Sequence, residues 1–214
     1  MKGRKIVLNK RQKKKRIQTQ NKKLCERYPF LVPRNVFTDK IIKGFNYTWT
    51  EYDAIPEGWR KAFGKLLLEE IREALIETNY LDEFRIMQLK EKFGQLRIYP
   101  NAAPQKVWDI LHKYEFISQF VCYECGNPNA CIVSLNGWYL PLCEKCWDNS
   151  NKRRQKGGYK VTSWEEVVDE NYVGIPDEYV VIKGFGDNEQ KIVHDIRETA
   201  NKIRKKMKLN EKTR

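Results

Sequence analysis

The sequence contains no long apolar run. Its longest uninterrupted apolar stretches, such as residues 120–123 and 179–182, are four residues long, whereas a helix that crosses a bilayer needs about 20. No apolar segment follows the basic N-terminal residues, so we expect no secretory signal peptide. These absences disfavour a membrane protein or an exported protein, and they predict a protein of the cytoplasm.

Histidine is scarce, with only two residues, at positions 112 and 194. Hydrolytic zinc sites and HNH-type nucleases need a histidine close to their paired cysteines, and zinc deaminases need a His-x-Glu motif. The chain also lacks a Gly-Lys-Ser/Thr loop for phosphate. We therefore expect no catalytic residue and no small-molecule substrate, and a zinc-dependent nuclease is a disfavoured alternative.

Acidic residues are absent from the N-terminal region. Residues 1–25 contain 11 lysines and arginines and no aspartate or glutamate, and residues 201–214 contain seven basic residues and one acidic residue. The formal charge of +13 therefore resides in the two ends, because residues 26–200 sum to −4. The body between the tails is 175 residues long and slightly acidic.

Two short basic segments are candidates for contacts with phosphate groups. They comprise Lys10, Arg11, Lys13, Lys14, Lys15 and Arg16 in an N-terminal arm, and Lys152, Arg153 and Arg154 after the last cysteine. We expect the arm, residues 1–23, to be disordered or at most a fraying helix on its own. The predicted partner of these segments is nucleic acid or a ribonucleoprotein. Alternatively, the arm is a solubilising tail or, in a eukaryote, a nuclear-import signal.

Four of the six cysteines form two pairs with the spacing Cys-x-x-Cys. Cys122 and Cys125 are separated from Cys143 and Cys146 by 17 residues. A two-residue gap lets one tight turn present two thiolates to a metal, and two such turns complete a tetrahedral zinc site. The spacing predicts one structural Zn²⁺ bound by these four residues. Redox-active or simply buried cysteines are the competing interpretation.

The residues between the pairs predict a β-hairpin. Two apolar segments flank Asn136-Gly137, a dipeptide favoured in type I′ turns, and a polar stretch from 144 to 156 is suited to an exposed helix. A knuckle, a hairpin and a ligand pair at a helix start would make a treble clef; a zinc ribbon is the close alternative. Cys131 could replace a ligand, but a place in the hairpin strand is favoured, and Cys25 is expected to be buried.

Apolar periodicity outlines the remaining elements. Helices are predicted from Pro56 to near Asn79 and from Pro104 onward, with two strands in 84–99 around Lys92-Phe93-Gly94. Residues 28–33 should be extended because each proline disfavours helix before it, and 37–55 should hold a short strand or hairpin.

In the C-terminal part, Ser163 and Glu166 fit a capping box for a short helix. A strand is expected at 179–182 and a turn at 184–186. A last helix, capped by Asp187 and Gln190, would carry Ile192, Ile196, Ala200, Ile203 and Met207.

The fold class that follows is α+β: a small mixed domain with amphipathic helices, a β-hairpin and a four-cysteine module resembling a treble clef or zinc ribbon. The predicted organisation is a basic arm (1–23), an α+β body (24–120), a zinc-binding module (121–156) and a C-terminal α/β segment that ends in a basic helix (157–214).

Three strings give the chain a resemblance to known proteins: residues 28–35 (YPFLVPRN), 55–64 (IPEGWRKAFG) and 87–97 (MQLKEKFGQLR). Together with the paired cysteines, they resemble a group of largely uncharacterised phage- and prophage-encoded proteins over about residues 24–148. The resemblance implies expression in the cytoplasm of a bacterial host and carries over no catalytic residue.

The sequence therefore predicts a non-enzymatic zinc-binding protein that binds nucleic acid or a nucleoprotein through its basic tails. The alternative is a phage-encoded protein that binds host machinery, for example an inhibitor of antiviral defence. Plentiful aromatic residues, 12% of the chain, are compatible with such a protein–protein contact surface.

Overall fold

The computed structural model describes residues 9–135, 137–168, 173–175, 179–182 and 192–212. The fold is mixed α+β, as predicted. The helices are α1 (Lys10–Arg27), α2 (Glu57–Trp59), α3 (Lys65–Glu77), α4 (Gln105–Ser118), α5 (Glu144–Lys156) and α6 (Arg197–Lys212). The strands are β1 (Ile86–Lys92), β2 (Gln95–Pro100), β3 (Cys131–Leu135), β4 (Trp138–Leu142), β5 (Tyr179–Ile182) and β6 (Ile192–Asp195). They form three antiparallel pairs, β1–β2, β3–β4 and β5–β6.

The predicted helix after Pro56 forms, with one addition. A π-helical turn, Arg60–Gly64, joins α2 to α3, so that helical backbone runs from Glu57 to Glu77. Trp59, Phe63 and Ile71 recur at helical spacing and are fully buried, which explains why this face turns inward. The helix ends where Asn79 adopts a positive φ of 54°.

The main core lies between α3, α4 and the β1–β2 hairpin, which pack against one another in that order. Leu89, Leu96 and Ile98 supply the buried face of the hairpin, and Leu111 and Tyr114 supply that of α4. The two strands and the helix from Pro104 were both predicted. Pro104 is the N-cap of α4, a position that requires no backbone donor.

The C-terminal helix also joins the main core. Ile196, Ala200 and Ile203 are fully buried, as the predicted face requires, but the prediction was wrong for Ile192. That residue lies in β6, opposite Ile182 of β5, and α6 begins only at Arg197. Pairing of two β-branched segments favours a strand over a helix there. The predicted turn at 184–186 and the cap at 187–190 lie outside the described residues.

Three local predictions were wrong in detail. Residues 29–31 form a 3₁₀ turn instead of an extended segment, since proline is tolerated in a first helical turn. Between 37 and 55 the backbone makes one isolated bridge, Arg34 to Ile41, and a 3₁₀ helix, Glu51–Ala54. A capping box between Thr50 and Asp53 starts that helix. The segment at 163–166 makes a single turn, in which the amide of Ser163 donates to Glu166.

Helix α1 has two different halves. Its C-terminal half is docked: Cys25 is buried, Asn21 donates to Asp53 at 3.2 Å, and Arg27 makes two hydrogen bonds of 2.9 and 2.8 Å to Glu69 of α3. Its N-terminal half, residues 10–17, is exposed throughout. The predicted boundary between arm and body therefore falls inside one helix. None of the described helices is long and apolar enough to cross a membrane.

Glu51 is a buried acid in the fold, only 8% exposed. Its carboxylate accepts a hydrogen bond from the backbone of Leu89, but loss of hydration dominates and raises its pKa from 4.5 to about 7. The neutral form is therefore favoured in the folded state. The stabilisation that this preference gives is fully present below pH 4.5 and is lost as pH rises through about 7.

Replacing Glu51→Gln should remove this pH dependence, because the amide keeps the shape without an ionisable group. We expect the free energy of unfolding of the wild type to fall by about 2 kcal/mol more than that of the variant between pH 5 and pH 8. Urea denaturation at the two pH values measures the difference. Equal pH dependence in both proteins would contradict the prediction.

Candidate metal centre

The structure brings together the side chains of Cys122, Cys125, Cys143 and Cys146. Their sulfur atoms all lie within 4.8 Å of one another. The Sγ atoms of Cys125 and Cys143 are 3.6 Å apart, too far for a disulfide bond of about 2.05 Å. The separation is close to the edge of about 3.8 Å that four sulfurs define around a metal at about 2.3 Å. The residues therefore fit a four-thiolate metal site.

The first pair lies on a tight turn of the backbone. The amide of Gly126 donates to the carbonyl of Cys122 at 2.9 Å, and the amide of Cys122 donates to the carbonyl of Asn127 at 2.8 Å. Gly126 has a φ of +84°, a backbone conformation that residues other than glycine rarely adopt. This turn, residues 122–127, is the predicted knuckle, and its glycine occupies the position of positive φ.

The second pair lies at the start of α5. Cys143 is the N-cap, and its carbonyl accepts the amides of Cys146 and Trp147, both at 2.9 Å. The partial positive charge of a helix N-terminus favours thiolates there. Because the second pair lies at a helix start and not on a second knuckle, the order knuckle, hairpin, helix is that of a treble clef.

The β3–β4 hairpin connects the two pairs. Its closing positions are Leu135 and Trp138, and Gly137 in the predicted turn has a φ of +79°; Asn136 lies outside the described residues. The amide of Tyr123 in the knuckle donates to the carbonyl of Pro141 in β4 at 2.8 Å. This bond fixes the knuckle on the strand that leads to Cys143.

Electrostatics explains why such a cluster needs a cation. Hydrogen bonds from Cys125 and Cys143 lower the pKa of Cys122, so the first thiolate forms readily. Burial and the charge on Cys122 and Cys125 then raise the pKa of Cys146, and the same neighbours raise that of Cys143. Four thiolates at this separation repel one another unless a divalent ion neutralises them. Metal binding must therefore release protons and weaken as pH falls.

The two other cysteines lie outside the cluster. Cys131 is the first residue of β3 and is 3% exposed, packed with Val133, Leu142 and Trp147 in a small core of the module. Cys25 is 6% exposed in the main core, and burial raises its pKa to about 11. Both were predicted to be small buried residues, and the structure confirms this.

Helix α2 supports the knuckle in a way that no local sequence signal indicates. The amide of Gly58 donates to the carbonyl of Tyr123 at 3.0 Å, and Nε1 of Trp59 donates to the carbonyl of Val121 at 2.8 Å. A methyl group on Gly58 would lie 2.2 Å from the carbonyl oxygen of Cys122. The metal module is thus held against the main core by direct backbone contact.

The predicted phosphate-binding residues lie on two helices. Lys10, Arg11, Lys13, Lys14, Lys15 and Arg16 are exposed on α1, and Lys152, Arg153 and Arg154 lie on α5. Arg153 already has protein partners, because it donates at 3.1 Å to Glu124 in the knuckle and at 3.1 Å to Ser150. A nucleic-acid contact at these positions stays a prediction.

No protein-family model, curated protein or solved structure matches the chain. The resemblance to phage-encoded proteins therefore stays an expectation from the sequence. The geometry defines a closed site of four thiolates, a type that organises a fold and leaves no position for a substrate. Thiolate ligands in a tetrahedral arrangement suit zinc.

Cys143→Ser should abolish stoichiometric metal binding and destabilise the module, because one tetrahedral corner is lost. Cys131→Ser is the matched control: it changes the same atom in the same module, outside the cluster. We expect about one metal per chain in the wild type and the control, measured by elemental analysis of protein purified without chelator. Absence of metal from the wild type would refute the site.

Gly58→Ala should displace the knuckle, since the new methyl group meets backbone atoms that cannot rotate away. We expect a loss of stability of about 2–4 kcal/mol together with faster metal release to a competing chelator. Gly157→Ala is the control: its methyl group would lie 3.1 Å from the ring of Tyr159, a side chain that can move. Similar behaviour of the two variants would argue against the backbone contact.

Proposed function

We propose that this chain is a non-enzymatic, zinc-stabilised protein that binds nucleic acid or a nucleoprotein through the exposed half of α1. The observation that carries the proposal is a helix with six exposed basic residues between positions 10 and 16 and no acidic residue before Glu26. Among the described residues, none of those six forms an ion pair with the body. Their charge is available to an external polyanion.

The charge pattern of α1 is unfavourable for an isolated helix. The first turn contains no acidic residue, so lysine and arginine side chains meet the positive end of the helix dipole. Lys10 and Lys14, and likewise Arg11 and Lys15, are four residues apart on one face, where like charges repel. Phosphate groups bound along this half of α1 would offset both the unfavourable interaction with the helix dipole and the repulsion between like charges. Binding should therefore increase the helicity of the arm.

The basic residues of α6 are used differently. Lys206 donates to the carbonyl of Ala62 in the π turn at 3.2 Å, and Lys202 pairs with Glu198 at 2.7 Å. The first contact holds α6 against the body and the second lies within the helix, so we assign the main electrostatic contact to α1 and a secondary one to the C-terminal residues.

A structural role for the metal follows from its ligands. A catalytic zinc keeps one position for water and has a general base beside it, whereas four thiolates fill all positions. His112 lies elsewhere, on α4, where it stacks on Trp108 with ring centroids 5.6 Å apart. The nuclease alternative therefore has no support in the geometry of the cluster.

Neutralising the arm tests the proposal. The variant replaces Lys13, Lys14, Lys15 and Arg16 with glutamine. If five or six arm charges neutralise phosphates, log K should fall with log salt at a slope of about −5, and the variant should reduce that slope to about −2. Fluorescence anisotropy of a labelled oligonucleotide between 50 and 300 mM salt measures both, and circular dichroism follows the gain of helix.

The control removes four charges from the body by replacing Lys40, Lys61, Lys106 and Lys160 with glutamine. It should leave the salt slope close to that of the wild type. A slope reduced equally by both variants would show that net charge, and not the arm, drives binding. No binding by the full chain at low salt would refute the proposal.

A protein partner is the second candidate, and a different surface favours it. The segment after Pro33 exposes apolar side chains, with Phe37 93%, Val36 58% and Ile41 51% exposed. Contiguous exposed apolar residues are typical of protein interaction sites. If the chain is phage-encoded, as the resemblance implies, a host protein is the natural partner, and this candidate takes precedence when nucleic acid does not bind.

A further inference from the structure

The β1–β2 hairpin has an outward face that the main core does not use. Strand alternation buries Leu89, Leu96 and Ile98 and turns the residues that alternate with them to the opposite face. The outward set contains three cations, one aromatic residue and no acid: Gln88, Lys90, Lys92, Gln95, Arg97 and Tyr99. This composition is unlike that of the slightly acidic body around it.

The two lysines of this face lie over aromatic rings. Nζ of Lys90 is 5.0 Å from the centroid of Tyr99, and Nζ of Lys92 is 5.4 Å from that of Phe93. Neither lysine forms an ion pair with any described residue. Arg97 is partly engaged, with Glu115 at 3.8 Å. Each of these two rings therefore carries a cation over one of its faces and, among the described residues, leaves the other face without one.

Phe93 at the tip of the hairpin is an outlier in two respects. It has a φ of +53°, which is strained for a bulky side chain and normally belongs to asparagine, aspartate or glycine in such a turn. It is also 70% exposed, so its ring gains little from the protein interior. A residue that costs backbone strain and exposes apolar area has no folding advantage at this position. Such strain is found at functional sites.

A second hairpin brings further aromatic residues to the same place. Phe93 and Lys92 line a cleft of about 270 Å³ with Trp138 and Tyr139 of β4, which are 68% and 52% exposed. The two hairpins are in contact, since a methyl group on Gly94 would lie 3.2 Å from the side chain of Ile132. One carboxylate, that of Glu91, also lines the cleft, and its Oε1 accepts a hydrogen bond of 2.7 Å from the amide of Gly94.

We propose that this surface, the aromatic platform of Phe93, Trp138 and Tyr139, stacks the unpaired bases of a single-stranded nucleic acid. Base stacking on exposed aromatic rings, beside cations that meet the backbone phosphates, is the general way in which single strands are bound. Lys90 and Lys92 supply those cations. The inference rests on the proposed function and adds a preference: the arm binds phosphates of any strand, and the platform binds only bases that are not paired.

Phe93→Asn separates a role in binding from a structural role, because we expect the substitution to raise the melting temperature and to lower the affinity for single strands. Asparagine followed by glycine is the preferred sequence of this turn, so the variant should melt about 2–4 °C higher than the wild type. Its affinity for a 12-nucleotide single strand should nevertheless fall by about fivefold or more. Trp138→Ala, a second variant on the other hairpin, should weaken the same complex similarly.

The probes are fluorescein-labelled 12-mers of deoxyuridine and of uridine, which differ only in the sugar, and a 12-base-pair duplex. Weaker binding to a 12-mer with unchanged duplex binding supports the platform. Phe37→Asn, which removes an exposed phenylalanine elsewhere, is the control and should change neither affinity.

The results distinguish the two proposals. If the full chain binds neither the 12-mers nor the duplex at low salt, the proposed function fails and the platform fails with it. If arm neutralisation weakens binding while Phe93→Asn and Trp138→Ala leave the 12-mer affinities unchanged, the platform is overturned and the arm stands. Equal weakening of 12-mer and duplex binding would also overturn base stacking.

Discussion

The contact on which the rest of the structure depends is the direct approach of two backbones, that of α2 at Gly58 and that of the first knuckle at Tyr123. A hydrogen bond of 3.0 Å joins them without an intervening side chain. The knuckle positions two of the four thiols, and α2 continues through the π turn into the central helix of the main core. A metal bound by the four thiols would therefore be coupled to folding of the body through direct backbone contact.

This coupling reaches the C-terminal helix. The π turn presents the carbonyl of Ala62 to Lys206 of α6, and Arg204 of the same helix donates to the carbonyl of Ile175 at 2.6 Å. The amide of Ile175 in turn donates to the carbonyl of Pro128, just beyond the knuckle. The module of residues 121–156 is thus contacted by α2 on one side and by Ile175, which α6 holds, on the other. It therefore packs with the main core as one unit.

The sequence predicted what depends on local chemistry. Two Cys-x-x-Cys pairs indicate their cluster because each short spacing already fixes two thiols on one turn, and the burial of Trp59, Phe63 and Ile71 follows from their helical period. It could not predict the role of Gly58, because that role depends on a contact with residue 123, 65 positions away. Nor could it predict the strand at Ile192, whose apolar spacing suits a helix equally well until β5 provides a partner.

Cys25 gives α1 a property that follows from its burial. Its thiol is 6% exposed and burial raises its pKa to about 11, which disfavours reaction with alkylating reagents while α1 is docked. It becomes reactive only when the C-terminal half of the helix separates from Asp53 and Glu69. The rate at which Cys25 is alkylated therefore records how often the C-terminal half of α1 separates from the body. A nucleic-acid strand that binds both halves of α1 would slow the alkylation without contacting Cys25.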